Sequence, residues 1–329
     1  MTQRTKTVVL ALALLLLIGA AFFACERAVY KRTGPAGEVV IRLGYRPKAL
    51  ADVTPVVIEQ KGLRRDGLRI VLVPISSPAD AMQKFDANEI DAIAGITMET
   101  LLKRIDQKDS ADFRAYYVQT DVDGNGWVSI AGFANSLRDL AGKTVASLPT
   151  DQAQYLLRRI LHSAGLADSD IKIVTYNPAT PTQGLQSKEH FAIFGLEPAI
   201  AKARALGATE LAAGPVSHYL FGGRPVALSA SIVRSSFLAE HNNAVHKLVD
   251  IVGEAAGIAQ KEPDTVRQYF TLEKYGALSQ QESKLLYLPT MTKGDSTVRS
   301  ATEQFVKDLV RDKLLVHEVS LDSFFAPLP

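Results

Sequence analysis

Asp139-Leu140-Ala141-Gly142-Lys143-Thr144-Val145-Ala146-Ser147-Leu148-Pro149-Thr150 reads as a turn, a short apolar strand and the start of a helix. Pro149 ends the strand. Thr150 is placed to cap the helix, its hydroxyl accepting from the unpartnered N–H groups of the first turn. The helical pattern runs from Asp151 to Ala164 and stops at Gly165. Leu156, Leu157, Ile160 and Leu161 fall on one face, with Arg158 and Arg159 beside them. Such a unit sets backbone donors and a hydroxyl at the carboxyl end of a strand, where open α/β sheets take up small polar ligands. Capping alone explains one example. The same order recurs along the chain, and that recurrence decides the fold.

Upstream, the pattern predicts a strand over Val39–Leu43, ended by Gly44-Tyr45-Arg46-Pro47. A helix over Thr54–Gln60 stops at Gly62, and a strand over Leu68–Val73 is closed by Pro74. Ser77-Pro78 opens a helix, with serine as cap and proline at the first position. Ala92–Ala94 reads as a strand broken at Gly95, and Thr97 as the cap of the next helix. Phe113–Val118 is a further strand. Downstream come a strand at Ile171–Thr175, a short helix near Gln183–Ser187 and a strand at His190–Phe194, broken at Gly195. Pro198 opens a helix through Ala205. A strand near Val226–Ser229 and helices over Phe237–Gly257, Pro263–Tyr269, Ser279–Leu286 and Asp295–Lys313 finish the chain. This alternation implies right-handed βαβ units. The class is α/β, with two largely parallel sheets in two lobes joined near Asp121–Ile130.

The charge balance is close to even, with a net charge of +2 over 329 residues, and no basic patch rises above it. Nucleic acid is therefore not the expected partner. Arg4 and Lys6 precede an uncharged, leucine-rich run from Val8 to Ala24. The run is long for a signal peptide and short for a membrane span, which takes about 20 residues. Residues 1–25 are expected to be a signal peptide or membrane anchor, and 26–38 a polar tether. The lone cysteine, Cys25, sits where a bacterial lipoprotein would be processed and lipidated. Phe22 and Phe23 are bulky for that site. Gly19-Ala20-Ala21 offers ordinary cleavage, and an uncleaved anchor is a third option. Export is expected by any of these routes, to a periplasmic or extracytoplasmic site. With one cysteine no internal disulfide can form.

Between Val39 and Leu315 the chain resembles the substrate-binding proteins of ABC importers, in the nitrate, sulfonate and taurine branch with the type II periplasmic-binding-protein fold. The resemblance rests on Gly44-Tyr45 with Pro47, Gly62-Leu63 with Asp66-Gly67-Leu68, and Asn88-Glu89-Ile90-Asp91-Ala92 with Gly95. It continues in Asp139–Ala146, Gly165-Leu166 and Phe194-Gly195-Leu196-Glu197-Pro198-Ala199. It implies two mixed, largely parallel sheets with flanking helices and crossing hinge strands. Residues 39–126 and 215–329 would form the first lobe and 127–214 the second. A small polar compound would be held between them, with Tyr45, Ser76, Ser77, Thr97, Thr150 and Glu197 at the pocket and Trp127 near the crossover. The implied partners are an ABC permease and its ATPase, for a monomer that needs no cofactor. Two departures bear on the ligand. The second-lobe helix starts Pro149-Thr150-Asp151 where relatives have a Gly-Ser or Gly-Thr pair, and Asp121 and Asp123 add negative charge near the crossover. Arg46 and Lys48 can offset these charges. A sulfonate, a nitrate-like anion, a zwitterion and a neutral polar compound all stay open.

Other signals carry less. Asp121-Val-Asp123-Gly-Asn125-Gly126 imitates the first half of a calcium loop, but its twelfth position is Gly132 where a bidentate Glu is required. The six histidines lack metal-ligand spacing. The rival class is an enzyme, since one branch of this fold makes a thiamine precursor. Relatives there carry a cysteine-rich motif that this chain lacks, and no Gly-x-Ser-x-Gly elbow is present. A ligand sensor without transport is the third reading.

Overall fold

The computed structural model describes residues 37–48, 50–108, 110–120, 128–212 and 219–329. The expected leader, Cys25, nearly all of the tether, Trp127 and the acidic crossover turn lie outside them. So do the expected lobe boundaries at 126/127 and 214/215.

Two sheets are formed. The first runs in the order β11 (Thr290–Thr292), β4 (Phe113–Thr120), β10 (Ser229–Arg234), β3 (Ala92–Thr97), β1 (Val39–Tyr45), β2 (Leu68–Pro74). The second runs β7 (Lys172–Thr175), β6 (Thr144–Ser147), β8 (Ala192–Leu196), β5 (Val128–Gly132), β9 (Thr209–Glu210). Each has a parallel trio, β2-β1-β3 or β7-β6-β8, flanked by an antiparallel strand, β10 or β5. Each antiparallel strand enters just after the chain passes from the other sheet. The architecture is two-lobed α/β with flanking helices.

The strands form where apolar runs meet turn residues. In β1 every residue after Val39 is buried, the mark of a parallel strand covered on both faces. The exception in chemistry is Arg42, whose guanidinium and backbone N–H donate to Asp91 at 2.6–3.0 Å, both residues being buried. That pair ties β1 to the start of β3. The helices carrying the cleft are α1 (Thr54–Lys61), α2 (Pro78–Asp86), α3 (Met98–Lys108), α4 (Asp151–Ser163) and α5 (Ala199–Ala205). On α4 the predicted stripe of Leu156, Leu157, Ile160 and Leu161 is buried. Helices α6 (Asn242–Lys261) and α7 (Ser296–Arg311) follow β10 in the chain. Tyr155 of α4 and Phe305 of α7 pack with ring centroids 6.1 Å apart, within one hydrophobic cluster that takes in residues of both sheets. Among the described residues no helix is long and apolar enough to cross a membrane.

Some expectations need correction. Neither Gly95 nor Gly195 breaks its strand; β3 continues to Thr97 and β8 to Leu196. Gly95 takes φ +66°, and a Cβ there would lie 2.7 Å from the Ala51 carbonyl carbon, so the residue is small for a close approach. The strand expected near Val226–Ser229 lies at Ser229–Arg234, where it bridges β3 and β4. The long helix expected at Phe237–Gly257 is two helices, parted at His241, whose ring packs on Phe237 at 4.7 Å.

Candidate functional site

The carboxyl ends of β1, β3, β6 and β8 meet between the sheets and line a partly open cavity of about 50 Å³. One water needs about 10–15 Å³ on this measure, so the cleft is nearly shut. Its walls are mainly apolar, from Ala51 and Leu228 on the first lobe and Val128, Leu148, Leu156 and Phe194 on the second. The polar lining is sparse, namely Arg46, Thr97, Thr150, Gln152 and Ser229.

Arg46 is the only charged side chain among these. It follows β1 directly, so the sheet aims it at the cleft. Its guanidinium makes one long hydrogen bond, 3.5 Å to the Gly95 carbonyl, and no carboxylate pairs with it among the described residues. Burial alone pulls its pKa down, to about 10. At neutral pH it is therefore a partly desolvated cation with no carboxylate opposite it among the described residues.

Of the residues singled out from sequence, Thr97 and Thr150 line the cavity. The Thr150 hydroxyl caps α4, accepting from the Ala153 N–H at 3.1 Å. The Thr97 hydroxyl bonds that of Thr100 at 2.7 Å and does not cap a helix. Tyr45, Ser76, Ser77 and Glu197 are not in the lining. Tyr45 is buried in the first-lobe core. Ser77 caps α2 by accepting from the Asp80 N–H at 3.1 Å, and Ser76 donates twice to the Asp80 carboxylate. Glu197 turns away from the cavity and accepts from Arg204 and from the N–H groups of Ala201 and Tyr287. Burial pushes its pKa up to about 8, against the pull of Arg204 and those donors. Trp127 lies outside the described residues.

Sequence reasoning passed over Gln152 and Ser229. Gln152 follows the predicted cap, and only the approach of the other lobe gives it partners. Ser229 leads inward to a buried relay. Its hydroxyl donates to Gln119 at 2.7 Å, Gln119 donates to Ser231 at 2.8 Å, and Ser231 donates to Asp52 at 2.6 Å. Asp52 is buried, with no cation beside it among the described residues, and its pKa is raised by that burial, although Ser231 and Thr54 donate to it. Asp151, which on the sequence opposes an anion, is bonded at 2.7 Å by Lys103. Among the described residues no group of three or more His, Cys, Asp or Glu side chains is placed to hold a metal.

The family model described as NMT1-like family matches residues 34–272. The chain belongs to the NMT1-like family. Solved structures share the fold of this family member at low identity. The periplasmic aliphatic sulphonate binding protein of Escherichia coli is 16% identical with a TM-score of 0.68, covering 87% of this chain and 96% of its own. The alkanesulfonate-binding protein of Xanthomonas axonopodis pv. citri, bound to MOPS, is 18% identical with a TM-score of 0.66 over 87% and 96%. The periplasmic nitrate-binding protein of Synechocystis PCC 6803 is 14% identical with a TM-score of 0.62 over 86% and 83%. No curated protein sequence matches the chain.

Proposed function

We propose that the chain is the extracytoplasmic solute-binding component of an ABC importer. It captures a small organic monoanion, of the sulfonate kind, between its lobes and delivers it unchanged to a permease and its ATPase. Residues 39–126 with 215–329 act as one lobe and 127–214 as the other, hinged through the two crossings. The protein works as a monomer held at the membrane by its N-terminal segment, through that segment itself or a lipid on Cys25.

The observation that carries this reading is Arg46, a cation without a carboxylate partner among the described residues, at the edge of an apolar cavity. An anionic head pairs with the guanidinium while an aliphatic body covers Leu148, Leu156 and Phe194. Nitrate alone leaves those walls uncovered. A taurine-like ammonium lacks a carboxylate in the described lining. The sulfonate-binding neighbours support the same class.

The test is calorimetry and thermal shift on purified protein with alkanesulfonates, nitrate, taurine and carboxylates. A monosulfonate at one hundred times its dissociation constant stabilises the protein by about 2.7 kcal/mol. Arg46→Ala removes about 2–5 kcal/mol of binding free energy while the unliganded protein stays folded. Wild-type affinity in Arg46→Ala refutes the site. A shift only with uncharged compounds refutes the ligand class, and a new product by mass spectrometry restores the enzyme reading.

A further inference from the structure

The N-termini of α3 and α4 face each other across the cleft, one from each lobe, and their bonding is reciprocal. The Gln152 side-chain carbonyl accepts from the Glu99 N–H at 2.9 Å, so a second-lobe residue serves the first turn of the first-lobe helix. The Glu99 carboxylate accepts from the Gln152 N–H, so a first-lobe residue serves the first turn of the second-lobe helix. Gln152 also donates to the Leu228 carbonyl at 3.0 Å. Lys103 bridges the Glu99 carboxylate at 2.6 Å and the Asp151 carboxylate at 2.7 Å. Glu99 is 5% exposed and Gln152 6%.

Two helix N-termini brought face to face present like partial charges, and they repel unless something negative stands between them. Glu99 is the buried negative group there, and the exposed Asp151 carboxylate is a second one beside it. The helix end that Glu99 occupies is the one whose bare donors mark it, from sequence, as a ligand cradle. Two of those donors are taken. The Gln152 N–H goes to Glu99 and the Ala153 N–H to Thr150. We infer that Glu99 is an internal stand-in for an anionic ligand group. With Gln152 it clasps the lobes when no ligand is present, and it confines the ligand's anion to the Arg46 end of the cleft. The confinement rests on the solute-binding reading above; the clasp does not.

Small-angle X-ray scattering of the ligand-free protein tests the clasp. Wild type is expected to scatter as the nearly shut form described here. Glu99→Ala removes both acceptor and charge, and Gln152→Glu sets a second carboxylate against the first and removes the donor to Leu228. Both are expected to raise the radius of gyration while circular dichroism stays that of the folded protein. Glu99→Gln keeps the acceptor without the charge, and is expected to fall between. A ligand-free wild type that is already open, or folded variants with an unchanged profile, overturns the clasp. Binding tests the confinement, with methanesulfonate and ethane-1,2-disulfonate as probes. Glu99→Gln is expected to improve disulfonate binding about ten-fold and to change monosulfonate binding much less. Equal disulfonate affinity in both proteins overturns the confinement. If no sulfonate binds either protein, the solute reading and the confinement fall together, and scattering still decides the clasp.

Discussion

Gly95 carries two constraints at once. Its φ of +66° suits a residue without Cβ, and the Ala51 backbone fills the space that a Cβ would need. Gly95→Ala is expected to lower stability by about 1–3 kcal/mol from the backbone term alone, with more from the clash, read from the midpoint of urea unfolding. Glu197 makes a pH prediction. Its folded pKa, raised to about 8 by burial, lies above the usual carboxylate value. The native state therefore holds a proton that the unfolded state has lost. Stability from this source is full below the unfolded pKa and is lost as pH rises through about 8. Melting temperature should fall from mildly acidic to mildly alkaline pH, and Glu197→Gln should flatten that slope in a calorimetric pH series. Asp52 and Glu210, also raised by burial, leave a remaining slope of the same sign. Asp86, held low by Arg104, acts only in acid. At this scale the sequence was a partial guide. The capping roles of Ser77 and Thr150 are local, so they could be read from neighbours in the chain. Arg46 could be seen as a charge, but not as one without a carboxylate among the described residues. Gln152 had no signal, because its partner lies on the other lobe.

Among the elements, β1 and β3 depend on a buried ion pair. Asp91→Ala leaves Arg42 charged, buried and without its carboxylate, and is expected to cost about 3–5 kcal/mol, measured by denaturant unfolding. Replacing both residues by apolar ones of similar volume should restore much of the loss; a double variant as unstable as the single one would falsify that account. The alternation of strands and helices was legible because hydrophobic period and Gly/Pro punctuation are local properties. α4 shows this, with its buried stripe and its cap where the pattern put them. Gly95 and Gly195 were misread as ends because glycine also serves close packing, and the neighbour that needs the space is remote in sequence. A Cβ on Gly195 would lie 2.2 Å from the Tyr176 hydroxyl, which no local pattern reveals. The exact span of β10 was hidden for a related reason. Its apolar run is longer than the strand, and pairing with β3 and β4 chooses the residues that form it.

For the whole molecule, one hydrophobic cluster includes Phe113 of the first sheet, Phe305 of α7, Leu157 of α4 and Phe194 of the second sheet. The lobes should therefore unfold together, in a single calorimetric transition whose van't Hoff and calorimetric enthalpies agree. Two resolved transitions would show that the lobes are independent. The two-lobed plan itself was legible, since the repeated βαβ order needs no knowledge of contacts, whereas the cavity's charge and walls exist only once the lobes meet. Sheet order has a further consequence, which concerns the sequence of events in folding. β10 lies between β3 and β4, yet it is made only after the whole of the second sheet. A growing chain that has not reached Ser229 holds β3 and β4 with facing edges unpaired, and such edges invite pairing with other chains. The opening strands of the first sheet must wait, open-edged, for a strand that arrives after the second sheet is complete.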